Sequence, residues 1–390
     1  MRFLSLLTAL FLVSSGYADE LALGKKCPKP ILGPQEPHKD QAPLSQKPMP
    51  SKQGDEPLSE DRYLPSYNAP AAVALKGQTY NYYVDGSYLY WQASQEGMDI
   101  AHSNGLSASI EIIGPQASIL YQPFSYQSGF KAGLGFSGDN GTLDAHYTWI
   151  RQSTSISRAA PESGVPGATD VWVSPWILDP WVAGSDVDSE WKLGMDLFDL
   201  SLGRPYYQGP FVTVNPFVGL RGALIRQYLH LHQNAVVNGS HVTAATLVHD
   251  HNVCQSWGIG PRTGVTSSYV HQSGFRIFGD LAASLLFTQY TQIGAKTDRV
   301  SDTSSASYVG GRVTNLNVLR PELELGLGLG WGIYTPSQRF HFDLAASYDF
   351  AIFWSQNMMR YLVDNLGSEI GASPANLYLQ GLTVTAGFAF

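Results

Sequence analysis

Residues 320–333 read RPELELGLGLGWGI, and few conformations fit them. Leu323, Leu325, Leu327, Leu329, Trp331 and Ile333 occupy one parity; Glu322, Glu324, Gly326, Gly328, Gly330 and Gly332 occupy the other. Side chains two residues apart share a face on a β-strand, so one face here is apolar and the other is acidic, then bare. The chain ends in the same rhythm. In LYLQGLTVTAGFAF, residues 377–390, Tyr378, Leu382, Val384, Ala386, Phe388 and Phe390 share a parity, interrupted by Gln380. A soluble protein rarely leaves such an apolar edge at its terminus, where it invites aggregation. At this point a strand docked in a sandwich core competes with a strand that faces lipid.

The alternation recurs from Tyr80 onward. Phe130, Ala132, Leu134 and Phe136 oppose Lys131, Gly133 and Gly135. The turn GDNG, residues 138–141, reverses the chain as Asn-Gly hairpins do. Beyond it Leu143, Ala145, Tyr147 and Trp149 oppose Asp144, His146 and Thr148. Trp191, Leu193, Met195 and Leu197 read as the outward face of the next strand, with Lys192, Gly194 and Asp196 inward. Val218, Leu220, Gly222 and Leu224 oppose Arg221, and Trp257, Ile259 and Val265 oppose Arg262. Phe275 to Phe287 place Arg276 and Asp280 inward, and Phe340 to Phe350 do the same for His341, Asp343 and Asp349.

The connections alternate strictly between tight turns and long polar loops, starting from YNYYVDGSYLYWQAS as the first strand. Short turns on one side and long loops on the other mark an outer-membrane barrel. The expected fold is therefore all-β, a transmembrane antiparallel up-and-down barrel of about ten strands with short periplasmic turns and long extracellular loops. LSASIEIIG, residues 106–114, lies in the first long loop as two further short strands or an inward-folded segment, so twelve strands stay open. Trp149, Trp191, Trp257 and Phe287 fall at the long-loop ends of apolar faces, and Phe275, Trp331, Phe340, Phe388 and Phe390 at the short-turn ends. Two aromatic belts are expected at the two lipid–water interfaces, and a soluble sandwich has no reason to sort aromatics this way.

Composition agrees. Charged residues make up 14% of the chain, against about 25% in ordinary soluble domains. Mean hydropathy is near neutral because apolar and polar positions cancel. The net charge of −8 offers no basic footprint for nucleic acid. Residues 1–18 read as a signal peptide, with Arg2, an apolar stretch from Phe3 to Val13 and a cut after Ala18. Residues 19–79 read as a Pro-rich flexible tail, which leaves 80–390 for the barrel. Cys27 and Cys254 are too few for a disulfide framework, although an exported chain can pair them.

GSYLYWQASQEGMDIAHS, WKLGMDLFDLSLGRPYY, NPFVGLRGALIRQYL and the final phenylalanine resemble the major outer membrane protein-like family of legionellae and chlamydia-related bacteria. The resemblance covers about residues 80–390 and rests on strand and turn patterns. It implies an abundant, pore-forming outer-membrane barrel that contributes to envelope structure. The C-terminal aromatic, with Phe388 and Phe390, is similar to the signal that barrel-assembly machinery recognises. The scarcity of cysteine sets this chain apart from a heavily cross-linked envelope role.

The expected function is passive diffusion of ions and small hydrophilic solutes, with outer-membrane lipids and the assembly machinery as partners and a homo-oligomer left open. Expected pore-lining residues are Lys131, Asp144, Lys192, Asp196, Arg221, Arg262, Arg276, Asp280, Glu322, Glu324, Asp343 and Asp349, since charges at membrane depth must face water or a partner. The alternative is an adhesin or receptor acting through loops such as VWVSPWILDPWV, with Trp172, Trp176 and Trp181 exposed. His230, His232, His241, His249 and His251 gather with Asp250 and Cys254 in what reads as a polar surface loop. His249 and His251 would share a face and with it a metal or proton, but no ligand geometry follows from a loop. Asp250 and His251 would point apart on a strand, and no Ser, His and acid set stands out. No enzyme activity, cofactor or metal is expected.

Overall fold

The computed structural model describes residues 75, 80–103, 117–138, 141–160, 171–178, 183–209, 211–235, 246–271, 273–301, 304–366 and 374–390. The signal segment, the tail other than Leu75, Cys27, His241, Trp181 and all of LSASIEIIG lie outside them. Ten long strands make the wall. They are β1 (Tyr80–Gln95), β2 (Tyr126–Gly138), β3 (Gly141–Ala159), β4 (Asp186–Gly203) and β5 (Val212–Ala235), followed by β6 (Thr246–Val270), β7 (Phe275–Ser301), β8 (Leu316–Tyr334), β9 (His341–Asn357) and β10 (Ala375–Ala389).

Each strand pairs antiparallel with the next, and β10 pairs back onto β1, so the sheet closes without an edge. At the seam Val84 stands opposite Phe388 and Tyr90 opposite Leu382. The terminal Phe390 exchanges backbone hydrogen bonds with Tyr82 at 3.0 and 2.8 Å. Closure supplies partners for backbone groups that lipid cannot satisfy. Ten strands, not twelve, form the barrel: Asp99–Ser103, Ile119–Tyr121 and Trp172–Val173 pair among themselves in a separate three-stranded sheet.

The expected alternation of connections is observed. Tight links join β2 to β3, β4 to β5, β6 to β7 and β8 to β9 at one end, and all the long connections lie at the other. Gly274 closes the β6–β7 turn at φ 87°, a conformation that costs a glycine little. On the long-loop side β5, β6 and β7 run to 24, 25 and 27 residues, against 13 for β2. At about 3.3 Å per residue such strands far outreach the apolar thickness of a bilayer even when tilted. Ser304–Val313 adds to the outer part of β7 and raises that wall further.

The outside of the wall is apolar. Leu134, Val218, Phe275, Leu327 and Leu329 are all more than half exposed, as lipid-facing residues are in an isolated barrel. The core lies inside the barrel, toward the long-loop end, where Leu193, Met195, Ile225, Leu229, Leu286, Phe353 and Leu379 meet across the axis. The helix α1 (Met359–Leu366) follows β9 and turns Met359, Leu362 and Val363 onto this layer. Asn357 caps it by accepting from the Met359 N–H at 3.1 Å.

Candidate functional site: the charged lumen and its apolar cap

Below the apolar layer the inward face changes character. Arg221 on β5 is 2% exposed and reaches in two directions. Its Nε and Nη2 donate to Asp199 of the neighbouring β4 at 2.5 and 2.6 Å. Its Nη1 donates to Glu322 and, at 2.5 Å, to Glu324 on β8. Two strands, β6 and β7, separate β5 from β8 along the wall, so this contact crosses the lumen. Arg262 on β6 binds the second oxygen of Glu324 and lies 5.0 Å from the Phe217 ring. Nearer the short turns Arg276 is held bidentate by Asp343, with Nη2 2.7 Å from Oδ2. Asp349 accepts from Thr383, and His146 Nε2 sits 3.4 Å from Asp85.

Lys131, Asp144, Arg221, Arg262, Arg276, Asp280, Glu322, Glu324, Asp343 and Asp349 all face inward, as the alternation predicts. Lys192 and Asp196 do not. On β4 the exposed residues are Phe198, Leu200 and Leu202, so the even positions, Lys192 and Asp196 among them, face out. Trp191, Leu193, Met195 and Leu197 face in and are buried. The backbone keeps its parity; the lining changes from polar below to apolar above, so the apolar residues switch sides at Leu197 and Phe198. Trp191 accordingly belongs to the core and not to the aromatic belt, packing edge-on against Phe124 at 5.3 Å. The other belt residues stand outside, with Trp149, Trp257 and Phe287 at the long-loop rim and Phe275, Trp331, Phe340, Phe388 and Phe390 at the short-turn rim.

Asp85, His146 and Asp199 complete the lower lumen, and sequence reasoning passed over all three as lining residues. Asp199 was hidden by the switch of faces on β4, whereas Asp85 and His146 carried the inward parity. Among the described residues the inward carboxylates below the apolar layer are Asp85, Asp144, Asp199, Asp280, Glu322, Glu324, Asp343 and Asp349, against Lys131, Arg221, Arg262 and Arg276. Glu322 and Glu324 are spoken for by Arg221 and Arg262. The acidic surplus therefore rests on Asp85, Asp144, Asp280 and Asp349.

At the long-loop end the described segments are tied to one another. Trp172 and Trp176 are buried, at 5% and 0% exposure, which corrects the expectation of exposed loop tryptophans. Trp176 Nε1 donates to the Asp99 carbonyl at 2.8 Å, and Ser174 Oγ to that of Ile100 at 2.7 Å. Arg360 of α1 joins the same point, 3.1 Å from Asp99 and 5.6 Å from the Trp176 ring. At the opposite end Leu75 is buried with Tyr83, Ala389 and Tyr334.

The histidines are also better placed than a loop would place them. His230 and His232 on β5 stand opposite His251 and His249 on β6, on the outer face above the belt. The Nδ1 atoms of His230 and His251 are 2.6 Å apart, and His232 and His249 are bonded in the same way. Asp250 and Cys254 point inward and are buried. Among the described residues no group of three or more His, Cys, Asp or Glu side chains is placed to hold a metal ion.

A closed antiparallel barrel with an apolar exterior, aromatic rims and inward charges is a transmembrane barrel of the outer-membrane kind. The family model described as Legionella pneumophila major outer membrane protein precursor matches residues 77–390, and the chain belongs to that family. Among solved structures the chain is similar to the outer membrane protease OmpT of Escherichia coli, at 13% identity and TM-score 0.36, over 83% of this chain and 99% of that one. It is similar to a major outer membrane protein of Thermus thermophilus at 9% identity and TM-score 0.26, over 80% and 100%. The toluene transporter TodX of P. putida is similar at 9% identity and TM-score 0.24, over 82% and 92%. Comparison with curated proteins gives no match.

Proposed function

We propose that the protein is a narrow, gated porin of the outer membrane, held closed in the arrangement described here, that passes small cations and small hydrophilic solutes. The observation that carries this reading is the charged lower lumen. Ionisable side chains line it from β1 to β9, and in a permanently dry interior that many charges would be costly. Water-filled lumina carry such residues in barrels of this class. The Arg221 crossing and the apolar layer under α1 are two constrictions in series, one ionic and one dewetted. Four more carboxylates than cations favour cation entry.

Planar-bilayer recordings of the refolded mature protein test the reading. Wild type should open rarely and in small steps, with a reversal potential on the cation side in a salt gradient. Trp176→Ala with Arg360→Ala unlatches the cap and should raise the open probability. A folded barrel that stays silent in both forms overturns the porin reading. It would favour the alternative of a surface receptor, for which the raised wall of β5, β6 and β7 is the supporting feature.

A further inference from the structure

The residues removed from the lumen by the switch of faces on β4 form a site of their own. Arg151, Lys192 and Arg226 project from β3, β4 and β5 on the outer wall, around a groove of about 460 Å³ that also takes in Tyr228. Three cations on the lipid side of a barrel need an explanation, because charge there is expelled from hydrocarbon. Their depth supplies one. Arg151 lies two residues beyond Trp149 and stacks over its ring at 5.0 Å. Arg226 lies two residues beyond Leu224, and the strand register sets Arg151 and Arg226 on either side of Gly194, which offers no side chain. The group therefore sits one step above the aromatic belt, the level of lipid headgroups.

The carboxylates present orient these cations and leave a positive excess. Asp196 accepts from Arg151 at 2.9 Å on both oxygens and from Arg226 at 3.0 Å, and Glu190 pairs with Lys192 at 2.8 Å. Three cations thus face two carboxylates. The Lys192 and Arg226 side chains remain half exposed, at 49% each. Directly beneath, Phe198, Leu200 and Leu224 present exposed apolar surface toward the membrane midplane. A ligand that fits both halves has a phosphate at the top and acyl chains below.

We propose that Arg151, Lys192 and Arg226 bind the phosphate of an anionic lipid in the leaflet on the long-loop side, with its acyl chains against the wall below. Paired guanidinium groups suit phosphate because their planar forks match its oxygens. The Tyr228 hydroxyl, which accepts from Gln255 at 2.8 Å, keeps its own proton to donate.

The test uses the full barrel in neutral detergent, with native mass spectrometry counting retained lipid. The probes are bisphosphorylated lipid A, the same lipid with its phosphates removed, and inorganic phosphate. Wild type should retain the phosphorylated lipid and not the dephosphorylated one, a comparison that needs no variant. Lys192→Gln with Arg226→Gln should weaken retention about thirtyfold, the effect of two basic groups at a membrane surface. Lys296→Gln, on the same wall but higher, should leave it unchanged. Equal retention of both lipids by wild type overturns the proposal, as does equal retention by the folded double variant. Displacement of lipid A by inorganic phosphate would mark a soluble-anion site and overturn it as well.

Discussion

Replacing Arg221 with methionine keeps an unbranched, flexible side chain, shorter by two atoms, and removes the charge from the centre of the lumen. Asp199 and Glu322 are almost completely buried beside it, and Glu324 is three-quarters buried. Without the guanidinium, three carboxylates would share the single cation Arg262. Breaking a buried ion cluster by removing one partner costs about 3–5 kcal/mol, because the charges left behind have lost both water and counterion. Urea unfolding of the barrel in lipid vesicles, followed by tryptophan fluorescence, should show a loss of that size. Adding Asp199→Asn and Glu322→Gln to Arg221→Met leaves only the balanced Arg262–Glu324 pair. That triple variant should recover most of the stability, since a neutral replacement for a buried ion cluster is close to isoenergetic. A loss below about 1 kcal/mol in the single variant would refute the reasoning, for it is the size expected of solvated surface pairs. The lumen would then be wet at Arg221 and the ionic constriction absent.

Leu327→Arg should cost about 2–4 kcal/mol if Leu327 lies near the bilayer midplane, whereas Gly328→Ala should cost about 1–3 kcal/mol by overpacking. The reason for the second is that a Cβ at Gly328 would meet the Phe278 ring at 2.5 Å and the Ala346 carbonyl at 2.7 Å; equal effects of Leu327→Arg and Leu327→Ala would refute the lipid-facing assignment. Deleting Phe390 removes two backbone bonds to Tyr82 and a ring stacked 5.6 Å from Phe388, and should abolish heat-modifiable, membrane-inserted protein. Normal yields of inserted protein would remove Phe390 from assembly. Burial first, then the charge of Lys192 for His230 and of His230 for His251, hold both imidazoles below their ordinary value of 6.5. The neutral pair therefore supports strand pairing above that value and loses this contribution as pH falls below it through the lowered folded values. Amide exchange at the outer ends of β5 and β6 should quicken on acidification, and His230→Gln with His251→Gln should flatten the response.

Local chemistry along the chain determined the barrel. Period 2 is set by strand geometry, and wherever the lining is polar the apolar parity must face lipid, so Leu327, Val218 and Phe275 could be assigned to the outer face unaided. The alternation of tight turns and long loops pointed to about ten strands, with twelve left open, and closure of the sheet settled ten. It also pointed to the rim on which every belt aromatic but Trp191 stands, and ten inward charges followed from the same parity. Tertiary structure alone decided what fills the inside. On β4 the apolar residues change sides at Leu197 and Phe198, because the upper lumen is packed by Trp191, Leu193 and Met195 from the wall and by Trp176 and Met359 from the cap. An alternation rule reads which residues differ from their neighbours, and it cannot tell an apolar plug from an apolar membrane. Nor does parity disclose that Arg221 spans the lumen to Glu322 and Glu324, since residues 101 and 103 positions apart meet only once the sheet has closed on itself.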